Sequence, residues 1–212
     1  MSAGQRLATH RVDPATTALV VVDVQNDFCH PHGACAAAGH DVTAAVEMVP
    51  RLQRLIAAAK AAGVRIVYIQ TTHDASTDSP AWLARNGDQV RPQNCLTGSW
   101  GAEFYLVEPD ADDVVVVKHR YSAFAGTNLD LVLRTAGVSA LLLAGVATNI
   151  CVESTLRDGL FADYHVTLVE DCCAAFSQEA HDWTVRTVDA LFGVAAPSEE
   201  IAAAWHRSPQ LA

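Results

Sequence analysis

Five apolar runs punctuate this chain, and helical patterns separate most of them. The first, Ala18-Leu19-Val20-Val21-Val22-Asp23-Val24, is a nearly unbroken β-branched stretch, which suits a strand covered on both faces. Val64 to Gln70 is the second, Asp113 to Lys118 with its four consecutive valines the third, Ala140 to Ala144 the fourth and Val166 to Val169 the fifth. Between the first two, Val46, Val49, Leu52, Ile56 and Ala59 recur at helical spacing and predict a helix over Thr43 to Ala62. Thr43 is its expected N-cap and Gly63 its stop. Asn128 to Thr135 predicts a shorter helix closed by Gly137, Cys151 to Phe161 another, and Gln178 to Leu191 the last. Strands alternating with helices imply an α/β domain built on a parallel sheet with right-handed crossovers. The segment from Asp74 to Pro109 breaks the rhythm. It is long for a connection and rich in Asn, Gln, Gly, Pro and Trp, so it is expected to shape a pocket or a subunit contact.

Length and composition narrow the class. The chain has 212 residues, half of them hydrophobic and 18% charged, enough for one domain with a real core. A formal net charge of −10 argues against a nucleic-acid partner. No apolar run reaches the roughly 18–20 residues of a membrane span, and Met1 to Arg6 lacks a signal-peptide core. The six cysteines follow no extracellular framework spacing, so the expectation is a cytoplasmic, reduced protein.

The candidate chemistry lies at strand ends, where open parallel sheets bind ligands. Asp23 falls near the end of the first run, Lys118 closes the third and Cys151 follows the fourth. Taken singly, Asp23 also reads as a loop cap, Lys118 as a solvated lysine and Cys151 as a small apolar core residue. Together they form a coherent set. The carboxylate can take the thiol proton, and the ammonium favours the thiolate. A helix starting at Cys151 would also lower the thiol pKa through its unpaired N–H groups and dipole. Cys29-His30-Pro31-His32 with Cys35 offers metal-ligand residue types without a recognised spacing and reads as an incidental loop. Cys172 and Cys173 read as buried small hydrophobes.

Three blocks carry a family resemblance: Asp23-Val24-Gln25-Asn26-Asp27-Phe28, Lys118-His119-Arg120-Tyr121-Ser122-Ala123-Phe124, and Gly145-Val146-Ala147-Thr148-Asn149-Ile150-Cys151-Val152-Glu153-Ser154-Thr155. In this order they resemble the isochorismatase-like cysteine hydrolases, over roughly residues 15 to 195. The resemblance implies a single three-layer α/β/α domain whose six-stranded parallel sheet has Val194 near the edge strand. It implies Cys151 as nucleophile, Asp23 as general base and then acid, and Lys118 as third member. It also implies a cis peptide between Val146 and Ala147, with the N–H groups of Ala147 and Cys151 forming an oxyanion hole. Acyl transfer through a thioester would follow, without metal or cofactor.

Within the family, Lys118-His119-Arg120-Tyr121-Ser122, Gly98-Ser99-Trp100-Gly101 and the run from Ala147 to Gly159 look most like the ureidoacrylate and biuret hydrolases. That branch cleaves C–N bonds of small carbamoyl compounds or amides, and it points to Gln25, Phe28 and Tyr121 as pocket residues. The chain departs from it after the second strand, where Thr71-Thr72-His73-Asp74 stands in place of an Asn-Gly-Trp-type sequence. Three other readings stay open: an isochorismatase-type hydrolase, a lactam hydrolase with a larger substrate, and a non-catalytic binding protein on the same fold. Relatives generally assemble as homodimers or homotetramers, so self-association is expected.

Overall fold

Strand β1, Thr17–Val22, is buried at every position and lies at the centre of the sheet. The computed structural model describes residues 7, 11–85 and 93–207. Residues 86–92, inside the Asp74 to Pro109 segment, and the leader stretch Met1 to Arg6 therefore lie outside the described residues. Around β1 run β2 (Arg65–Thr71), β3 (Val114–Lys118), β4 (Ala140–Val146), β5 (His165–Ala174) and β6 (Val194–Ala196). Their order is β3-β2-β1-β4-β5-β6, with every pairing parallel. The chain winds outward from β1 in both directions, so β1 and β4 are neighbours and their carboxyl ends form the switch point of the sheet.

Helices cover both faces. On one side α3 (Thr43–Ala62) sets Met48, Val49, Leu52 and Ile56 against Leu19 and Val21. On the other, Leu129 and Leu133 of α5 (Leu129–Thr135) and Leu156 of α6 (Glu153–Phe161) meet Ala18, Val20 and Leu141. Three short helices complete the site end: α1 (Asn26–Cys29), α2 (Ala34–Ala37) and α4 (Pro80–Ala84). Among the described residues no helix is long and apolar enough to cross a membrane.

Several expected boundaries move. Thr43 is the first residue of α3 rather than its cap: its N–H donates to Asp41 Oδ1 at 2.9 Å, and Val42 holds the cap position without a side-chain bond. Gly63 does end the helix, at φ 76° in the left-handed region. Helix α7, Gln178–Thr187, passes into a π-helical turn at Val188–Phe192 and is not the last. Helix α8, Ser198–Arg207, follows and docks Ile201 and Trp205 on the α3 side, with the Trp205 indole donating to the Val12 carbonyl at 2.9 Å. Its run of alanines carries too few large apolar residues to register as a periodic pattern.

Strand β3 shows why four valines do not make a central strand. Val115 and Val117 are exposed while Val116 and Lys118 turn inward, the alternation of an edge strand. That period of two delivers Lys118 to the interior at the carboxyl end of the sheet.

Candidate active site

Asp23 leaves β1 with φ at 52°, in the left-handed region that a non-glycine residue seldom adopts. Its N–H donates to the Ile69 carbonyl at 3.1 Å and its carbonyl accepts from Gln25 at 2.8 Å, which fixes that conformation. The carboxylate is fully buried. Its Oδ1 accepts from the Thr71 hydroxyl at 3.0 Å, and its Oδ2 lies 2.7 Å from Lys118 Nζ. Among the described residues Oδ2 makes no aligned hydrogen bond beyond that ion pair, and the Cys151 thiol is within reach of both Asp23 and Lys118. Lys118 also donates to the Thr71 hydroxyl, and to the Arg120 carbonyl at 3.0 Å. The structure thus brings Asp23, Lys118 and Cys151 into one buried cluster, from the ends of β1 and β3 and from the turn after β4.

Cys151 does not start a helix. Thr148–Val152 forms a π-helical turn that leads into α6, and Cys151 sits within it. The expected depression of its pKa is absent. Burial pushes the thiol up first and the Asp23 carboxylate adds to the rise, while Lys118 opposes both. For Lys118 burial disfavours the charge, but Asp23 and Cys151 outweigh it and hold the ammonium above its ordinary pKa. Burial and Asp23 thus favour the protonated thiol, while Asp23 and Cys151 favour the charged form of Lys118.

The turn before Cys151 is shaped by close approach. Gly145 has φ 120°, and a Cβ there would lie 2.0 Å from the Val22 carbonyl oxygen, so only glycine lets β4 pass β1 at this point. The Val146–Ala147 peptide is cis. The Ala147 carbonyl accepts from the N–H groups of Ile150 at 3.0 Å and Val152 at 3.2 Å. Thr155 braces the turn from α6: its hydroxyl donates to the Cys151 carbonyl at 2.7 Å and accepts from the Ala123 N–H at 3.0 Å.

A cavity of about 410 Å³ opens onto this cluster. Cys151, Lys118, Thr71 and the Val146–Ala147 peptide form one part of its wall, Phe28 and Tyr121 another. Gln25 is not in that wall, which corrects its expected place in the pocket. Fully buried, it donates to the carbonyls of Thr71 (2.9 Å) and Ala102 (2.8 Å) and accepts from the Thr71 N–H (2.8 Å). Its amide holds Thr71, and the Thr71 hydroxyl in turn bonds both Asp23 and Lys118.

Other contributors were not singled out individually, though Trp82 and Arg85 fall in the Asp74 to Pro109 segment expected to shape a pocket. Asp27 is buried and accepts from the N–H groups of Ala34 (2.9 Å) and Cys95 (2.6 Å), tying α2 to the segment before β3. Trp82 and Arg85 come from α4 and its C-cap to line the cavity, with Arg85 donating to the Tyr121 hydroxyl at 3.1 Å. In the Cys29-His30-Pro31-His32 run Cys29 is in the core, His30 packs edge-on against Trp100 and Tyr105, and the His32 ring lies 5.4 Å from that of His30. Among the described residues no group of three or more His, Cys, Asp or Glu could hold a metal ion.

Residues 17–200 match the family model described as the isochorismatase domain. Over 199 residues the chain is 37% identical to the ureidoacrylate amidohydrolase RutB of Methylobacterium radiotolerans, a match covering 86% of this chain and 76% of the relative. Among solved structures, a cysteine hydrolase from Pseudomonas syringae pv. phaseolicola superimposes with a TM-score of 0.81 at 30% identity, covering 92% of this chain and 95% of the other. The N-carbamoylsarcosine amidase of Thermoplasma acidophilum does so with a TM-score of 0.71 at 28% identity, over 87% and 97%.

Proposed function

The chain belongs to the isochorismatase domain family, and from that premise we propose that it is a cysteine amidohydrolase cleaving a C–N bond in a small carbamoyl, ureido or amide compound. One observation carries the reading: Asp23, Lys118 and Cys151 meet, buried, at the foot of a cavity. The relatives named as acting on ureidoacrylate and N-carbamoylsarcosine share a C–N bond flanked by a carbonyl, which suits a thiol nucleophile.

In this reading Cys151 loses its proton to Asp23 as its sulfur attacks the substrate carbonyl carbon. The charge on the carbonyl oxygen is met by the N–H groups of Ala147 and Cys151, where losing one such donor costs about 100- to 1,000-fold in rate. Asp23 returns the proton to the departing nitrogen, the C–N bond breaks, and ammonia or an amine leaves a thioester on Cys151. Water, deprotonated by the same carboxylate, cleaves the thioester and restores the thiol. Lys118 keeps its charge throughout, 2.7 Å from the Asp23 carboxyl group. Because the resting thiol is protonated, the transfer to Asp23 is coupled to substrate binding rather than completed beforehand.

Ammonia release from ureidoacrylate, biuret and N-carbamoyl amino acids, followed in wild-type, Cys151→Ala and Asp23→Asn proteins, tests this. Activity should fall at least about 10⁴-fold in the cysteine variant, and quenched wild-type reactions should carry an acyl adduct on Cys151 by intact-protein mass spectrometry. Undiminished turnover in either folded variant would overturn the assignment.

A further inference from the structure

The charge of the cavity runs against that of the protein. The chain carries a formal −10, yet among the described residues lining the cavity none is Asp or Glu, while Lys118, Arg85 and Arg120 all are cations. Asp23, behind the wall, compensates Lys118. Arg120 is the more heavily bonded to the backbone: it donates to the carbonyls of Thr77 (3.1 Å) and His119 (2.6 Å), with Ser79 Oγ at 3.4 Å and its Cζ farther from the Trp82 centroid, at 4.9 Å. Arg85 differs. Its Cζ lies 3.5 Å from the centroid of the Trp82 ring, its Nε donates to the Tyr121 hydroxyl and its Nη1 to the Trp82 carbonyl. Among the described residues it meets no carboxylate. Its guanidinium is held by an aromatic face and two hydrogen bonds and keeps donors to spare.

We propose, building on the hydrolase reading above, that the substrate carries a carboxylate away from its scissile C–N bond and that Arg85 receives it. With Nε and one Nη1 proton engaged, the donors left on Arg85 match the two oxygens of one carboxylate. A phosphate dianion would keep oxygens unpaired beside the apolar surfaces of Trp82 and Phe28. Arg85 is tied to Tyr121, three residues beyond Lys118, so backbone reach alone keeps the Cα atoms of Tyr121 and Lys118 within about 10 Å. That is the span of a small ureido acid. His73, stacked against Trp82, lies in the same field: burial lowers its pKa most, the hydrogen bond to Asp78 opposes this, and Arg85 and Lys118 lower it further.

The test pairs 3-ureidoacrylate with its neutral N-methylamide, hydrolysis being read at the ureido carbon by product mass. Wild-type protein should prefer the acid by about 10- to 100-fold in kcat/KM, mainly through KM. Arg85→Gln should reduce the preference to within about threefold, and Arg85→Lys should fall between. A second readout needs no turnover: maleate binding to Cys151→Ala protein, by calorimetry, should weaken about 10- to 100-fold when Arg85→Gln is added. Equal use of the two compounds by wild type, or a preference or maleate affinity unchanged by Arg85→Gln, overturns the inference. If neither compound is hydrolysed, the hydrolase reading is at fault, and the maleate titration still decides the anion site.

Discussion

Thr71 makes one hydroxyl serve two charged groups: it accepts from Lys118 and donates to Asp23. It touches no reacting atom in the proposed chemistry, so its role is to position. Thr71→Val keeps the shape and the β-branch that suit the end of β2 but leaves Asp23 Oδ1 and the Lys118 ammonium each one buried hydrogen bond short. Steady-state kinetics should show kcat lowered about 10- to 100-fold with KM within about twofold, consistent with the loss of a hydrogen bond to a charged group. Thr71→Ser should restore most of the rate. A Val variant as fast as wild type would assign Thr71 to packing alone. The positioning roles of Thr71 and Gln25 left no mark in the sequence. The partners of Thr71 lie 47 and 48 positions away, and those of Gln25 lie 46 and 77 away, so only the finished fold reveals them. Asp23, Lys118 and Cys151 were legible because each closes or follows an apolar run.

At the scale of elements, the site end of the sheet is stitched by loops rather than helices. Asp27 joins α1 to α2 and to the Cys95 backbone, and its carboxylate lies so close to Gly101 that a Cβ there would meet Oδ2 at 1.9 Å. Asp27→Asn replaces one acceptor with a donor facing an N–H. Urea unfolding should show a loss of about 1.5–3 kcal/mol at unchanged m, and a loss below about 0.5 kcal/mol would mean the two loops do not depend on this carboxylate. Strands β1, β2 and β4 were readable because strands buried on both faces need unbroken apolar runs. The π-helical turn at Cys151 was not, because Thr148 to Val152 offers the same residue types as an ordinary helix start and the difference lies in Ala147 accepting from two N–H groups. Gly63 and Gly137, both at positive φ, were readable as stops, since left-handed positions select for glycine.

For the whole molecule, buried His73 and half-buried His181 set an acid limit on stability. Burial lowers the pKa of His73 and of His181, the latter bonded through Nδ1 to the Thr148 hydroxyl at 3.0 Å. Both accept protons more readily when the chain is unfolded, so their contribution is complete above the ordinary value of 6.5 and is lost as pH falls below it. Calorimetric scans should give a Tm that is flat from pH 7 to 8 and declines between pH 6.5 and 5.5. Each 1 kcal/mol lost in a chain of this length is worth about 2–4 °C. A Tm that rises on acidification across that window would contradict the lowered pKa of both rings.

The strand order has one further consequence. Asp23, Lys118 and Cys151 leave β1, β3 and β4, and the neighbours in the sheet run β3-β2-β1-β4. No contiguous fragment shorter than residues 23 to 151 can hold all three, and every non-local pairing among those four strands must close before they meet. In the proposed chemistry, catalytic competence is thus a late property of refolding: it should return only once the parallel ladder has assembled around β1, whatever helix content has already formed.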